Sequence, residues 1–232
     1  MASRPSPLLC ELHAHSTWSD GALALGELTD LYGRRGFDVL AVTDHAPRDA
    51  RWVQAGTYDA YLRALRAEAV RARELYDLLL IPGLELTYDD PDPCRAGHAV
   101  ALGLRSYVDV SAGLESALAD AREAGAALVA AHPYSPEQLG TATRGTAAFG
   151  VRPELAELVD RYELFNRDTL FSWVAAAGHA TVATGDFHRP EHLATWKTLL
   201  PCSKNERSVV DYLRSRRPAY LVRLEDELRA AA

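Results

Sequence analysis

Residues 8–15 read LLCELHAH, a short apolar run ending in two histidines one residue apart. On a strand, alternate residues face the same side, so His13 and His15 would point together and can share one ion. The pattern recurs along the chain. The apolar run Val39 to Thr43 leads into Asp44-His45, and Leu78 to Leu84 into Glu85. Gly97-His98 adjoins the run His98 to Leu102, Ala127 to Ala131 meets His132-Pro133, and Thr181 to Thr184 leads into Gly185-Asp186-Phe187-His188. With Arg161 to Phe165, these make seven strand candidates.

Helical patterns fill the intervals, near 24–35, 58–76, 112–124, 153–159, 168–177 and 206–216. The second places Leu62, Leu65, Ala69 and Ala72 at spacings of three and four, an apolar stripe. Gly36, Gly125 and Gly178 each follow a helical stretch, where a C-terminal cap is expected. Strands alternating with helices predict an α/β fold of βαβ units closing a parallel sheet or barrel, with function on the loops at the C-terminal rim of its strands. A strand over Ala219 to Val222 and a polar, alanine-rich tail end the chain, and no internal repeat interrupts it.

Composition bounds what such a barrel can be. The 232 residues are 48% hydrophobic and 25% charged, enough for one continuous core and incompatible with disorder. The formal charge is −7, so extended nucleic acid, which demands a basic footprint, is not an expected partner. Three scattered cysteines form neither a disulfide framework nor a zinc knuckle, which points to a reducing cytoplasm. No signal peptide or membrane-spanning run is evident, so no membrane partner is expected.

Six of the eight histidines fall at predicted strand ends. Imidazole nitrogen and carboxylate oxygen are the donor set of zinc, manganese and iron. His13, His15, Asp20, His45, Glu85, His98, His132, Asp186 and His188 make nine candidates, enough for two or three divalent ions. Singly, each has an ordinary explanation: Asp20 suits the turn Ser19-Asp20-Gly21, and Asp44 suits a helix cap or an orienter of an imidazole. Jointly they do not, because burying so many ionisable groups together without metal is costly. His179 reads as a helix-end residue outside the cluster. His192, close to His188, is a candidate for substrate contact or proton donation.

In order, the motifs ELHAHS, SDG, VTDH, GLE, GHA, AHP and GDFH resemble those of the PHP (polymerase and histidinol phosphatase) domain family of metal-dependent phosphoesterases, from His13 to His188. The resemblance implies a distorted (βα)7 TIM-like barrel forming one domain over 1–232, with a core of 8–200 and a helix-strand extension over 201–232. It implies manganese, iron or zinc ions: one on His13, His15, Glu85 and Asp186, a second bridged by Glu85 to His98 and His132, and a third on Asp20, His45 and His188. Only 33 residues separate His98 from His132, leaving no room there for an inserted domain.

The reaction so implied is hydrolysis of a phosphoester by a metal-bridged hydroxide, with Glu85, Asp186, His188 and Asp20 as the catalytic set. The substrate would be a small phosphorylated metabolite or nucleotide. Arg167, Arg189 and Lys197 are the cations expected to hold its phosphate, and Arg144 is a further surface cation. Substrate choice would lie in the segments 89–95 and 135–151. Two other readings are amidohydrolase-type C–N hydrolysis, which commonly uses a bridging lysine, and a metal-loaded binding or regulatory module. The only lysines, Lys197 and Lys204, both follow the Asp186 strand, so Glu85 would have to replace that bridge.

Overall fold

The computed structural model describes residues 6–49, 51–139 and 145–225. Eleven strands form one strongly curled, mixed sheet. They are β1 (Leu8–Glu11), β2 (Val39–Val42), β3 (His45–Pro47), β4 (Leu79–Tyr88), β5 (Gly97–Leu102), β6 (Ala127–Ala131), β7 (Arg161–Asn166), β8 (Thr169–Leu170), β9 (Thr181–Thr184), β10 (Trp196–Leu200) and β11 (Tyr220–Arg223). The helices are α1 (Leu25–Arg34), α2 (Ala55–Tyr76), α3 (Leu114–Glu123), α4 (Pro136–Leu139), α5 (Ala148–Val151), α6 (Ser172–Ala176) and α7 (Glu206–Arg214).

The predicted strands are β1, β2, β4, β5, β6, β7 and β9, and they neighbour one another in that sequence around the curl. The end of β1 meets the end of β9 through a parallel bridge between Ala14 and Phe187. There the amide of His15 donates to the carbonyl of Phe187, and that of Phe187 to the carbonyl of His13. The first histidine motif and the last therefore lie side by side.

The strands are apolar on both faces because both are covered. Leu40, Val42, Leu80 and Leu84 pack with Leu28 and Tyr32 of α1, Leu62 and Leu65 of α2, and Leu114 and Leu118 of α3. The alternate residues Cys10, Leu12, Val39, Ala41, Ile81 and Val129 pack with Val209, Val210 and Leu213 of α7. Helix α7 starts on an Asn205 side chain that accepts from the Ser208 amide, a standard N-cap. Gly36, Gly125 and Gly178 take φ of 73°, 87° and 73° just beyond α1, α3 and α6, as expected of C-terminal caps.

Several local expectations are corrected. The sheet is not wholly parallel: β5 runs antiparallel to both β4 and β6, and β10 antiparallel to β1. Between β4 and β5 lies only the connection 89–96, too short for the crossover that parallel neighbours need. Residues 153–157 form a single 3₁₀ turn instead of a helix. The helix expected over 168–177 is shortened to α6, its start being taken by β8, which pairs back on β7. Strands β3, β8 and β10 were not expected. In the extension, β11 joins the main sheet by pairing with β10. No helix among the described residues is long and apolar enough to cross a membrane.

Candidate metal centre

All nine candidate ligands gather at one rim of the curl, in three groups whose nitrogen and oxygen atoms lie within 4.8 Å of one another. One holds His13, His15 and Asp186; another Glu85, His98 and His132; the third His15, Asp20, His45 and His188. His98 reaches this rim from the N-terminal end of β5, because β5 runs antiparallel; its partners in register are Thr87 and Ala131.

Glu85 spans two of the groups. Its Oε1 lies 3.1 Å from His98 Nδ1 and 3.1 Å from His132 Nε2. Its Oε2 lies 3.5 Å from the Nε2 atoms of both His13 and His15, and Asp186 Oδ1 faces the same two nitrogens at 3.5 Å. His13 Nε2, His15 Nε2 and Glu85 Oε2 are buried and have no hydrogen-bond partner. His45 Nδ1 comes within 2.7 Å of that oxygen but bonds to the Thr87 hydroxyl at 2.8 Å. Asp20 Oδ1 stands 3.5 Å from His45 Nε2 and 3.3 Å from His188 Nε2.

A buried polar atom without a partner is costly, and three of them facing one another is an arrangement a divalent cation resolves. The donor set, imidazole with carboxylate, fits such an ion.

Neighbouring side chains fix which imidazole nitrogen stays free. His13 Nδ1 bonds to Glu163 Oε1 at 2.9 Å, and His132 Nδ1 to the Thr146 hydroxyl at 2.9 Å. With Nδ1 as the donor, each Nε2 keeps its lone pair for the centre. Glu163 is fully buried and also accepts from the His132 amide, Asn166 and Thr184. Asp44 neither caps a helix nor touches an imidazole. It accepts from Ser16 and Ser19, and Ser19 Oγ meets His15 Nδ1 at 3.3 Å, so it braces the loop that carries Asp20.

Charge follows the same geometry. Burial pushes Glu85 upward, but His45, His13 and His98 outweigh it and hold the carboxylate well below its ordinary range. Asp186 behaves alike, burial being overcome by His13 and His15. Burial drives His15 down to about 3. Burial also acts downward on His98, yet Glu85 and Asp89 carry it up to about 9. Backbone strain collects here too: His132, Arg167 and Asp186 have φ of 30°, 53° and 40°, and so does Trp52, at 59°, whose ring stacks on His45.

Of the four residues expected to touch substrate, two lie at the rim. Arg167 Nη2 is 3.0 Å from Asp186 Oδ2, with part of its side chain open to solvent. Arg189 is exposed, directly after His188. Lys197 is a correction: its ammonium is fully buried, 2.9 Å from Glu11 Oε2, because β10 runs alongside β1. His192 is another. Its Nδ1 accepts the His188 amide at 3.1 Å, and burial, then Arg167, lower it to about 4, so it is neutral and holds backbone instead of donating a proton. His179 stacks on Tyr162, away from the centre. Arg144 lies outside the described residues.

Sequence reasoning passed over Glu11, Glu163, Thr87 and Thr146. Glu11 and Glu163 did carry a signal, each being a carboxylate inside a predicted apolar strand, where a paired or hydrogen-bonded charge is the rule. The threonines carried none.

Among solved structures, a two-domain protein of Bacteroides vulgatus ATCC 8482, described as containing a predicted PHP-like metal-dependent phosphoesterase, is similar over 94% of this chain and 67% of its own, with a TM-score of 0.69 and 21% identity. The fold is PHP-like. A candidate metal-dependent phosphoesterase of Bifidobacterium adolescentis ATCC 15703 is similar over 78% of the chain and 87% of its own, at TM-score 0.52 and 17% identity. An amidohydrolase of Chromobacterium violaceum, solved with sulfate and no metal, matches over 92% and 97%, at TM-score 0.50 and 16% identity. In sequence, the DNA polymerase/3'-5' exonuclease PolX of Bacillus subtilis strain 168 is 33% identical over 87 residues, 34% of this chain and only 15% of that protein. No family model matches the chain.

Proposed function

We propose that the protein is a metal-dependent phosphoesterase acting on a small phosphorylated molecule. The observation that carries this reading is the convergence of the unpartnered, buried Nε2 atoms of His13 and His15 on the unpartnered Oε2 of Glu85. His13, His15, Glu85 and Asp186 would hold one ion, Glu85, His98 and His132 a second, and Asp20, His45 and His188 a third. When bound, the ions supply Lewis acidity toward phosphoryl oxygens and make an attacking water more acidic.

The chain's own residues do the rest. Glu163, Thr146 and Thr87 hold the His13, His132 and His45 rings in one tautomer and orientation, so the donor set needs no rearrangement. Arg167 fixes Asp186 and presents a guanidinium beside it, suited to the non-reacting oxygens of a phosphate, and the exposed Arg189 follows His188 directly in the chain. Arginines at the rim favour a phosphoester over an amide. So does the pairing of both lysines elsewhere, Lys197 with Glu11 and Lys204 with Asp38 and Asp77, which leaves neither to bridge metals as in many amidohydrolases.

Turnover of p-nitrophenyl phosphate, its bis-ester and an acyl anilide, each with and without manganese, tests the proposal. Metal-dependent cleavage of either phosphoester, lost in Glu85→Ala, is expected. Cleavage of the anilide alone would establish amide hydrolysis, and bound metal without turnover of any of the three would indicate a binding module.

A further inference from the structure

The ends of β7 and β9 opposite the metal centre open on a cavity of about 410 Å³ walled by Arg161, Arg216, Arg217, Tyr162 and His179. Arg161 and Thr181 are the first residues of their strands, whereas Asn166 and Asp186 mark the other end.

Three arginines line this cavity. Arg161 is fully buried and spends its hydrogen bonds on the carbonyls of Leu213, Thr181, Tyr212 and Arg217. Arg216 donates from Nη2 to the Val159 carbonyl and Arg217 from Nε to Ser215 Oγ, which leaves further N–H groups on both guanidinium groups. Among the described residues, no carboxylate lies within ion-pair distance of any of the three. Asp160 also lines the cavity, but its carboxylate accepts from the Leu128 amide and faces Arg122. In a chain of net charge −7, three arginines on the wall of one concavity are a local excess of positive charge.

A second observation is independent of charge. Tyr162, on the cavity wall, is almost wholly buried, and its hydroxyl has no hydrogen-bond partner. The hydroxyl is closed off from solvent, so the tyrosine contributes a rigid wall to the cavity. Its ring is held by stacking on His179, with centroids 4.1 Å apart.

We infer that this cavity is an anion site, separate from the metal centre, that takes a small phosphate-bearing molecule. Phosphate suits it because several acceptor oxygens can meet two guanidinium forks at once, and the volume lies in the range of small-molecule sites. Free phosphate and a phosphorylated metabolite share that chemistry.

Calorimetric titration of the metal-free protein with inorganic phosphate and, separately, with a nucleoside monophosphate tests the inference and distinguishes the two sources. Binding of at least one is expected. It should weaken by about tenfold or more in the Arg216→Ala/Arg217→Ala double variant, whose fold is checked by circular dichroism, and should persist in Asp186→Asn. Single Arg216→Gln and Arg217→Gln variants, which remove one guanidinium each, should each weaken it about fivefold and decide the matter if the double variant does not fold. Equal affinity in the cavity variants, loss of binding in Asp186→Asn, or no binding of either probe at about 10 mM would overturn it. The Asp186→Asn arm keeps this site's failure apart from failure of the phosphoesterase reading.

Discussion

Glu163 is not a candidate ligand, yet it joins His13 to His132 through one buried carboxylate. Replacing it with Gln removes the charge that orients His13 while keeping its volume. Apparent metal affinity should fall about 10- to 100-fold, measured by competition with a chromogenic chelator, with the far-ultraviolet dichroism unchanged. Protons provide a second test at this scale. In the metal-free protein Glu85 and Asp89 hold His98 at about 9, so it is protonated at neutral pH, and an ion must displace that proton. Metal uptake at pH 7 should therefore release protons, and apparent affinity should rise with pH toward about 9. Calorimetry in buffers of different ionisation enthalpy reads this directly, and proton uptake on binding would contradict it.

The elements that carry the ligands are tied together beneath the centre by a buried ion pair. Glu11 on β1 accepts from the amides of Leu12, His13 and Gly185 and from the Tyr32 hydroxyl of α1, and it pairs with Lys197 of β10. One carboxylate thus connects the strand of His13 and His15 to the segment of Asp186 and His188. Lys197→Met strands that charge and should cost about 3–5 kcal/mol in denaturant unfolding, part of which the Glu11→Gln/Lys197→Met pair should restore. Gly185 matters for the same reason: a Cβ there would collide with Glu11 Oε2 and Lys197 Nζ. Gly185→Ala should lower both stability, by about 1–3 kcal/mol, and bound metal per chain. Unchanged metal content would show that the segment does not depend on this close fit.

Over the whole molecule, the centre concentrates carboxylates and imidazoles whose burial only a bound cation offsets in full. Chelation should therefore destabilise the entire domain. At a metal concentration near 100 times Kd, each ion lost removes about 2.7 kcal/mol, which for a chain of this size lowers Tm by roughly 5–10 °C. Calorimetric scans before and after chelation, with metal analysis of the same samples, check this. Fewer than two ions per chain after reconstitution would count against a centre of three.

Much of the fold was legible from sequence because its signals are local. An apolar run bounded by polar residues marks a strand, and a glycine after an amphipathic stretch marks a helix end, whatever surrounds them. The seven strands of the curl and the nine candidate ligands were accordingly named from spacing alone. What tertiary structure decided was direction and partnership. His98 joins the centre only because β5 is antiparallel to β4, a reversal carried by the short connection 89–96. Glu163 meets His13 across 150 residues of chain and Glu11 meets Gly185 across 174, and no local pattern encodes contacts of that range. Lys197 shows the limit most clearly. A lysine beyond the Asp186 strand reads as a cation for the phosphate, and only the pairing of β10 with β1 places it, fully buried, against Glu11. Residue type and spacing determined which groups this protein has available for chemistry; the closure of the sheet determined which of them face the metal centre and which hold it in place.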